Sequence, residues 1–514
     1  MFLFLIAGTL FSTADTDVAA LGHEFLAPDH WCYDALYRFE SLGLVDLPSH
    51  KLFSRDDVIS YTEAIERALA ASDGRPSARD RFELERLRKE FSSPESRADP
   101  RVRYNPPLLH QVDGPFELEG DLDLSLVPTD PLAGERWQFL GVSQPVARLH
   151  VEDKVTYETR YRLTMGPERG ARVRDRKPSR RERSFRGLTS LFERSYVVFP
   201  WKQATLFWGR DYVDWGPGED GNLLVSQSAE SLDKFGARLR FKNLHVSTFH
   251  ANLSTEARRY LSAHRLELDL GRLVVAVSEA VLYLDRGFDP AYILPLSSFY
   301  SNQFNERSDD NILWSFDLKY RTPLGAVLYG GFLIDDFQFE RRNVNPDKIA
   351  FDVGARVAMA GPVPMTWRLR YRFVDAYTYT HRDSGKAFVV GAGDPAAGDP
   401  SLGAEQGPDR DRLQVRADFY PRRDVTSTVS FSFQRRGEAN DFRRFVEGTD
   451  PSPPFPLGIV EKTYAFGYRV EWELPGNSLV GVDVRHEYVR NIDHAPGVSG
   501  WQTAVRGHLT WDFR

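Results

Sequence analysis

Residues 463–474, TYAFGYRVEWEL, carry two chemistries on alternate positions. Tyr464, Phe466, Tyr468, Val470, Trp472 and Leu474 interleave with Thr463, Ala465, Gly467, Arg469, Glu471 and Glu473. Successive side chains of a strand point to opposite faces. One face of this strand is therefore aromatic and the other charged. The same division recurs at 365–373, where Met365, Trp367, Leu369, Tyr371 and Phe373 alternate with Thr366, Arg368, Arg370 and Arg372. The last segment sets Val505, Leu509, Trp511 and Phe513 against Arg506, His508, Thr510 and Asp512. A sheet made of such strands has its faces in two different solvents, the pattern of a transmembrane β-barrel.

Working outward from these three, period two predicts eighteen strands: 116–125, 144–151, 154–164, 190–199, 203–208, 235–241, 244–252, 260–269, 272–283, 313–321, 325–333, 349–359, 365–374, 412–420, 424–434, 463–474, 479–489 and 502–513. Most have the length a tilted strand needs to cross the hydrocarbon. The connections alternate between short turns, such as Pro323-Leu324-Gly325 and Pro475-Gly476-Asn477, and longer loops. The longer ones fall at 126–143, 165–189, 209–234, 253–259, 284–312, 334–348, 375–411, 435–462 and 490–501. An even-stranded outer-membrane barrel sorts its loops in this way, with both termini on the periplasmic side. The barrel is expected over residues 106–514.

Upstream the period changes. Trp31, Ala35, Phe39 and Leu42 mark one helical face, closed by Gly43 at the C′ position. Ser54 with Asp57 opens a second helix whose apolar face holds Val58, Tyr61, Ile65 and Leu69. A third, near 77–91, carries Leu84, Leu87 and Phe91. Three short helices have too little core to stand alone, so this module, residues 21–105, is expected to pack on the barrel at its periplasmic end. The apolar run FLFLIAGTLF at 2–11, followed by Ser12-Thr13-Ala14 and Val18-Ala19-Ala20, has the form of a secretory signal peptide over residues 1–20.

Composition agrees with a two-solvent wall: 13% aromatic and 27% charged residues coexist with a mean hydropathy of −0.43. The net charge of −7 gives no general attraction to nucleic acid. Cys32 is the only cysteine, which excludes an intramolecular disulfide and any cysteine zinc site. No GxSxG, HExxH or P-loop motif is present, and the acidic pairs Asp309-Asp310 and Asp335-Asp336 fit a solvated rim. Neither enzyme chemistry nor a cofactor or metal is expected.

Two loops carry candidate binding residues. The loop 165–189 is strongly basic, with Arg172, Arg174, Arg176, Arg180, Arg181 and Arg183 among its cations. Outside the cell it would meet lipopolysaccharide phosphates or an acidic polysaccharide. Trp208, Arg210, Trp215, Glu219, Asp220 and Asn222 lie in and beside the loop 209–234. Aromatic faces with acidic, amide and guanidinium groups suit sugar rings. A glycine-shaped loop folded into the lumen as a plug is the other reading of the same residues. The lumen faces of the strands (Lys154, Glu158, Arg160 and Arg162; Asp317, Lys319 and Arg321; Asp483, Arg485 and Glu487) mix both signs, as cross-lumen ion-pair networks do.

The stretch 207–253 (FWGRDYVDWGPGEDGNLLVSQSAESLDKFGARLRFKNLHVSTFHANL) resembles the capsule-assembly Wzi family. The resemblance continues through 285–337, with Pro295, Phe299-Tyr300, Asp310-Asn311 and GGFLIDDFQF, and it extends to the overall plan. It implies an outer-membrane, lectin-like barrel, lumen largely occluded, that helps attach capsular polysaccharide to the cell surface. Outer-membrane lipid, lipopolysaccharide and surface polysaccharide are then the expected partners of a monomer. The ending Trp511-Asp512-Phe513-Arg514 departs from the family in placing its aromatic residue next to last. A second echo, in Tyr33-Asp34-Ala35-Leu36, Leu42-Gly43-Leu44 and Phe53-Ser54-Arg55-Asp56, is similar to an S-layer-homology unit. It carries the alternative of a wall-tethered porin.

Overall fold

The computed structural model describes residues 23–71, 76–91, 107–129, 138–165, 183–185, 188–294, 297–336, 345–394, 399–474 and 478–513. The signal segment lies outside them. Twenty strands form one antiparallel sheet: β1 Leu109–Asp113, β2 Phe116–Thr129, β3 Gln138–Val151, β4 Val155–Met165, β5 Arg183–Phe185, β6 Leu188–Trp201, β7 Ala204–Asp211, β8 Leu232–Phe241, β9 Leu244–Ser254 and β10 Arg259–Asp269, then β11 Leu273–Leu284, β12 Asn311–Arg321, β13 Ala326–Asp336, β14 Lys348–Met359, β15 Met365–Val374, β16 Arg410–Arg422, β17 Val425–Arg436, β18 Glu461–Glu473, β19 Leu479–Arg490 and β20 Ser499–Phe513. Eighteen of them, all but the short β1 and β5, make a closed barrel. Closure is by β2 and β20, Leu122–Leu126 pairing with Phe513–Leu509. Closure leaves no strand edge unbonded in hydrocarbon. Each of the eighteen segments expected from period two is a barrel strand.

The faces separate as the alternation requires. On β12, Phe316, Leu318 and Tyr320 are exposed while Ser315, Asp317, Lys319 and Arg321 are buried. Trp367, Leu369, Trp472 and Trp511 are likewise exposed on the outer wall. Three expectations need correction. Lys154 sits in an exposed turn, outside the lumen-facing row. Two further strands, β1 and β5, pair with β2 and β6 and have too few residues to show a period. The connection expected to be long at 253–259 is a four-residue turn, 255–258, because β9 and β10 continue their pairing to Ser254 and Arg259.

The helical module holds α1 Cys32–Ser41, α2 Arg55–Ala71 and α3 Ala78–Glu90. Ser54 and Asp57 cap α2 reciprocally, as do Ser77 and Asp80 for α3, and Gly43 takes φ +74° after α1. The module plugs the barrel at its short-turn end. Arg38 donates to the carbonyls of Met365 and Met359, which flank one turn, and Arg79 donates to the carbonyl of Arg423 in another. Glu473, at the end of β18, accepts from Arg79. Every residue of helix α1 but Asp34 is buried, Arg38, Glu40 and Ser41 included, because its polar face meets the charged inner wall. Cys32 is fully buried among apolar neighbours, as a small hydrophobe should be.

Leu369 lies mid-strand on the exposed face of β15. Leu369→Arg should cost about 2–4 kcal/mol if this position lies near the midplane. Denaturant unfolding of the barrel in lipid vesicles measures it, and an unchanged midpoint would place Leu369 away from lipid.

Candidate functional site

Between β7 and β8 the chain turns inward instead of projecting from the barrel. Segment 212–231 descends the lumen until it meets the plug. There Lys51 N–H donates to the carbonyl of Asp214 at 3.1 Å and Gly216 N–H to that of Ser49 at 3.0 Å. Trp215 is buried against Phe249 of the wall, with ring centroids 5.1 Å apart. Gly216 has φ +138°, and a side chain there would collide with Asn222. Asn222 ties the turn by accepting from Gly218 N–H and donating to Asp214 Oδ1, both at 2.8 Å. The described parts of a second long connection, 375–394 and 399–409, fold in beside it. Tyr379, Phe388, Leu402 and Ala404 join Trp215, Leu223 and Leu224 in a core cluster that also takes inward residues of β9–β15.

Glu219 anchors the tip of the loop, pairing with Arg356 and, at 2.6 Å, with Arg368. Burial alone would raise its pKa, yet Arg368 and Arg356 hold it well below the usual carboxylate range. Asp214 is the opposite case. Burial pushes its carboxyl up to about 6, against the pull of Lys51 and the bond from Asn222.

Between the plug and the inward loops lies a cavity of about 580 Å³. Helix α1 and the residues before it contribute Trp31, Tyr33, Asp34 and Tyr37 to its lining, and the wall contributes Arg162, Glu193, Arg410 and Arg416. Tyr212, Asp220 and Glu405 enter from the loops. The Nε groups of Arg162 and Arg410 find no hydrogen-bond partner among the described residues. An extra residue in β6 at the Arg160/Tyr161 register shift lets Glu193 face inward, where it accepts from Tyr212 Oη at 2.9 Å. Aromatic rings beside carboxylates and guanidinium donors form a lining that matches the stacking faces and hydroxyls of sugars.

The candidate residues divide among several places. Arg172, Arg174, Arg176, Arg180 and Arg181 lie outside the described residues, and Arg183 begins β5. Trp208 is 69% exposed on the outward face of β7, away from the lumen. Arg210 pairs with Asp233 at the long-loop end of the wall and borders the cavity. Trp215 and Asn222 are buried and hold the shape of the loop, while Glu219 and Asp220 border the cavity. No local pattern marks Tyr37, Arg410 or Glu405 as site residues, because their convergence depends on loops that turn inward.

The family model for capsule assembly protein Wzi matches residues 141–501. The chain belongs to the Wzi capsule-assembly family. A solved structure described as Wzi, an outer-membrane protein involved in group 1 capsule assembly in Escherichia coli and a carbohydrate-binding β-barrel, superposes with a TM-score of 0.63 at 12% identity. The match covers 96% of this chain and 99% of that one. OprD of Pseudomonas aeruginosa matches at a TM-score of 0.44 and 10% identity, over 77% of this chain and 94% of its own. No curated protein matches the chain.

The Asp214 carboxyl fixes a pH dependence for this Wzi-family plug. With a folded pKa of about 6 against an ordinary value of 3.8, the group favours the folded state most below about pH 4. That contribution falls as pH rises to about 6 and is constant above it, for a total of about 3 kcal/mol. Asp214→Asn should therefore melt higher than the native protein at pH 7.5 and equally at pH 4. A difference independent of pH would assign the effect to something other than this carboxyl.

Proposed function

We propose that this protein binds surface polysaccharide without transforming it and so takes part in holding a capsule to the cell. The observation that carries the reading is the cavity: aromatic rings converge above the plug with guanidinium groups, two of which, Arg162 and Arg410, have an Nε without a hydrogen-bond partner among the described residues. Family membership and the carbohydrate-binding description of the Escherichia coli barrel support it. The short-turn end, with the plug, faces the periplasm, and the long-loop end receives the glycan. The cavity is where sugar units dock. The basic loop 165–189 adds a screened attraction for an acidic chain, which weakens as salt rises.

Two sets of variants separate these contributions. Asp220→Ala and Arg410→Ala should weaken glycan binding by purified protein about tenfold or more, read by titration calorimetry. Arg174, Arg176, Arg180, Arg181 and Arg183 changed together to Ser should release polysaccharide from cells while the barrel still assembles. Binding as in the native protein in both sets, together with free ion conduction in planar bilayers, would replace this reading with the porin alternative.

Orientation has its own measurement. Protease added to intact cells should leave residues 29–91 uncut and cut them once the outer membrane is permeabilised. Cleavage in intact cells would reverse the orientation.

A further inference from the structure

The outer wall departs from its apolar rule on three adjacent strands. Towards the long-loop ends of β9, β10 and β11, the outward positions are His250, Ser262, His264 and Glu279, all buried. Hydrocarbon offers such groups no hydrogen bonds, so a membrane barrel must cover them with protein. The described parts of the connection between β11 and β12, 285–294 and 297–310, do so by folding back against the outside of the barrel. Its helix α4, Phe299–Glu306, is capped by Ser298. The N–H groups of Phe299 and Tyr300 both donate to the Glu279 carboxylate, each at 2.9 Å. His264 lies 3.3 Å from Glu279 with the Phe299 ring packed upon it, and His250 bonds to Ser262 at 2.8 Å. Tyr292 and Phe299 close over Val281, Tyr283 and Ile312 as a core cluster. Alternate residues of the same strands, Ala280, Leu282 and Leu313, belong to the lumen cluster, which sets the two clusters on opposite faces of one wall.

Having sealed the polar seam, the segment presents an apolar face of its own. Leu294, Tyr300 and Phe304 are 62%, 52% and 67% exposed, and the last two rings touch one helical turn apart. This face continues the exposed wall of Phe316 and Leu318. Between Phe288 of the same segment and the wall runs a crevice of about 480 Å³. Phe192, Trp208, Phe235 and Phe288 are its aromatic sides, with the Arg210–Asp233 pair at its rim.

We propose that residues 285–294 and 297–310 form a collar embedded in the membrane leaflet on the long-loop side, its aromatic face against lipid, with one lipid acyl chain in the crevice behind Phe288. The proposal rests on the outer-membrane reading of the barrel. Continuity with the lipid-facing wall selects lipid as the occupant. The aromatic sides of the crevice fit an alkyl chain, and the ion pair at its rim lies where a polar headgroup would begin.

Nitroxide labels test the collar in phospholipid vesicles. Cys32 is fully buried, so labels attach to introduced cysteines. Labels at Phe304→Cys and, independently, Tyr300→Cys should collide more often with oxygen than with a water-soluble nickel chelate, as a label at Leu318→Cys does. Val446→Cys, exposed in the connection 437–460, should show the reverse. If Leu318→Cys behaves as lipid-facing while both collar labels behave as water-facing, the collar proposal falls alone. If Leu318→Cys is itself water-facing, the membrane reading falls with it. Native mass spectrometry should find about one retained phospholipid per barrel, lost on Phe288→Glu. Retention unchanged by that substitution, or a dimer that shields the collar from both quenchers, would overturn the proposal.

Discussion

A buried chain of alternating charge fixes the inside of this barrel. Lys319, Glu40, Arg356, Glu219, Arg368 and Asp418 follow one another in ion-pair contact. Four of the six stand on neighbouring or nearly neighbouring strands, Glu40 on the plug helix and Glu219 on the descending loop. Bringing such groups out of water costs several kcal/mol each, and their mutual attraction only roughly offsets that. The chain is therefore weak evidence for stability and strong evidence for position. Withdrawing Glu40 takes from Lys319 its carboxylate in the chain, a loss of about 3–5 kcal/mol, and withdrawing Glu219 leaves Arg356 and Arg368 each one carboxylate short. Neither plug nor loop can slide along the wall without that penalty.

This arrangement divides the lumen. On the side of β9–β15, the inward loops bring a hydrophobic cluster to a wall whose upper positions are apolar, such as Phe249, Leu261 and Leu313. Lower on the same strands, Arg265, Glu267 and Asp317 meet the plug at Ser49 and one another. The opposite wall keeps its charges in shorter pairs, such as Arg469 with Asp483 and Arg485 with Glu487. The cavity borders the Glu219–Arg368 end of the charge chain, where Arg416 bonds to Asp418. Groups already held by buried partners lose little freedom on meeting a ligand, which is the general advantage of a preorganised site.

The wall was legible in the sequence because a two-faced strand records both of its solvents every second residue. The helices were legible from their caps and apolar spacing, Ser54 with Asp57 and Gly43 above all. Loop destinations left fainter marks. Nothing local to Trp215-Gly216-Pro217-Gly218 says whether it points to solvent or to Ser49, since both fates ask for glycine. Period two assigns Trp208 to the outer face of β7, yet its company with Arg210 suggested a sugar site. The outer collar did leave a mark: His250, Ser262, His264 and Glu279 occupy positions where the alternation calls for apolar residues. A lipid-facing row interrupted by histidines and an acid is a row that something else must cover.

The contact between loop and plug bears on what such a barrel can do. One polar layer enters from the short-turn end and another from the long-loop end, and they meet through backbone bonds at Lys51–Asp214 and Gly216–Ser49. A diffusion pore needs a continuous wet path, and here the centre of one side is occupied by paired backbone and by the fully buried Leu224. Opening it would break those bonds, expose the cluster around Trp215 and unpair Glu219 together. That side of the lumen is therefore held shut by several contacts that must give way together. The binding proposed above would use instead the cavity beside that contact, whose lining carries charged and aromatic groups.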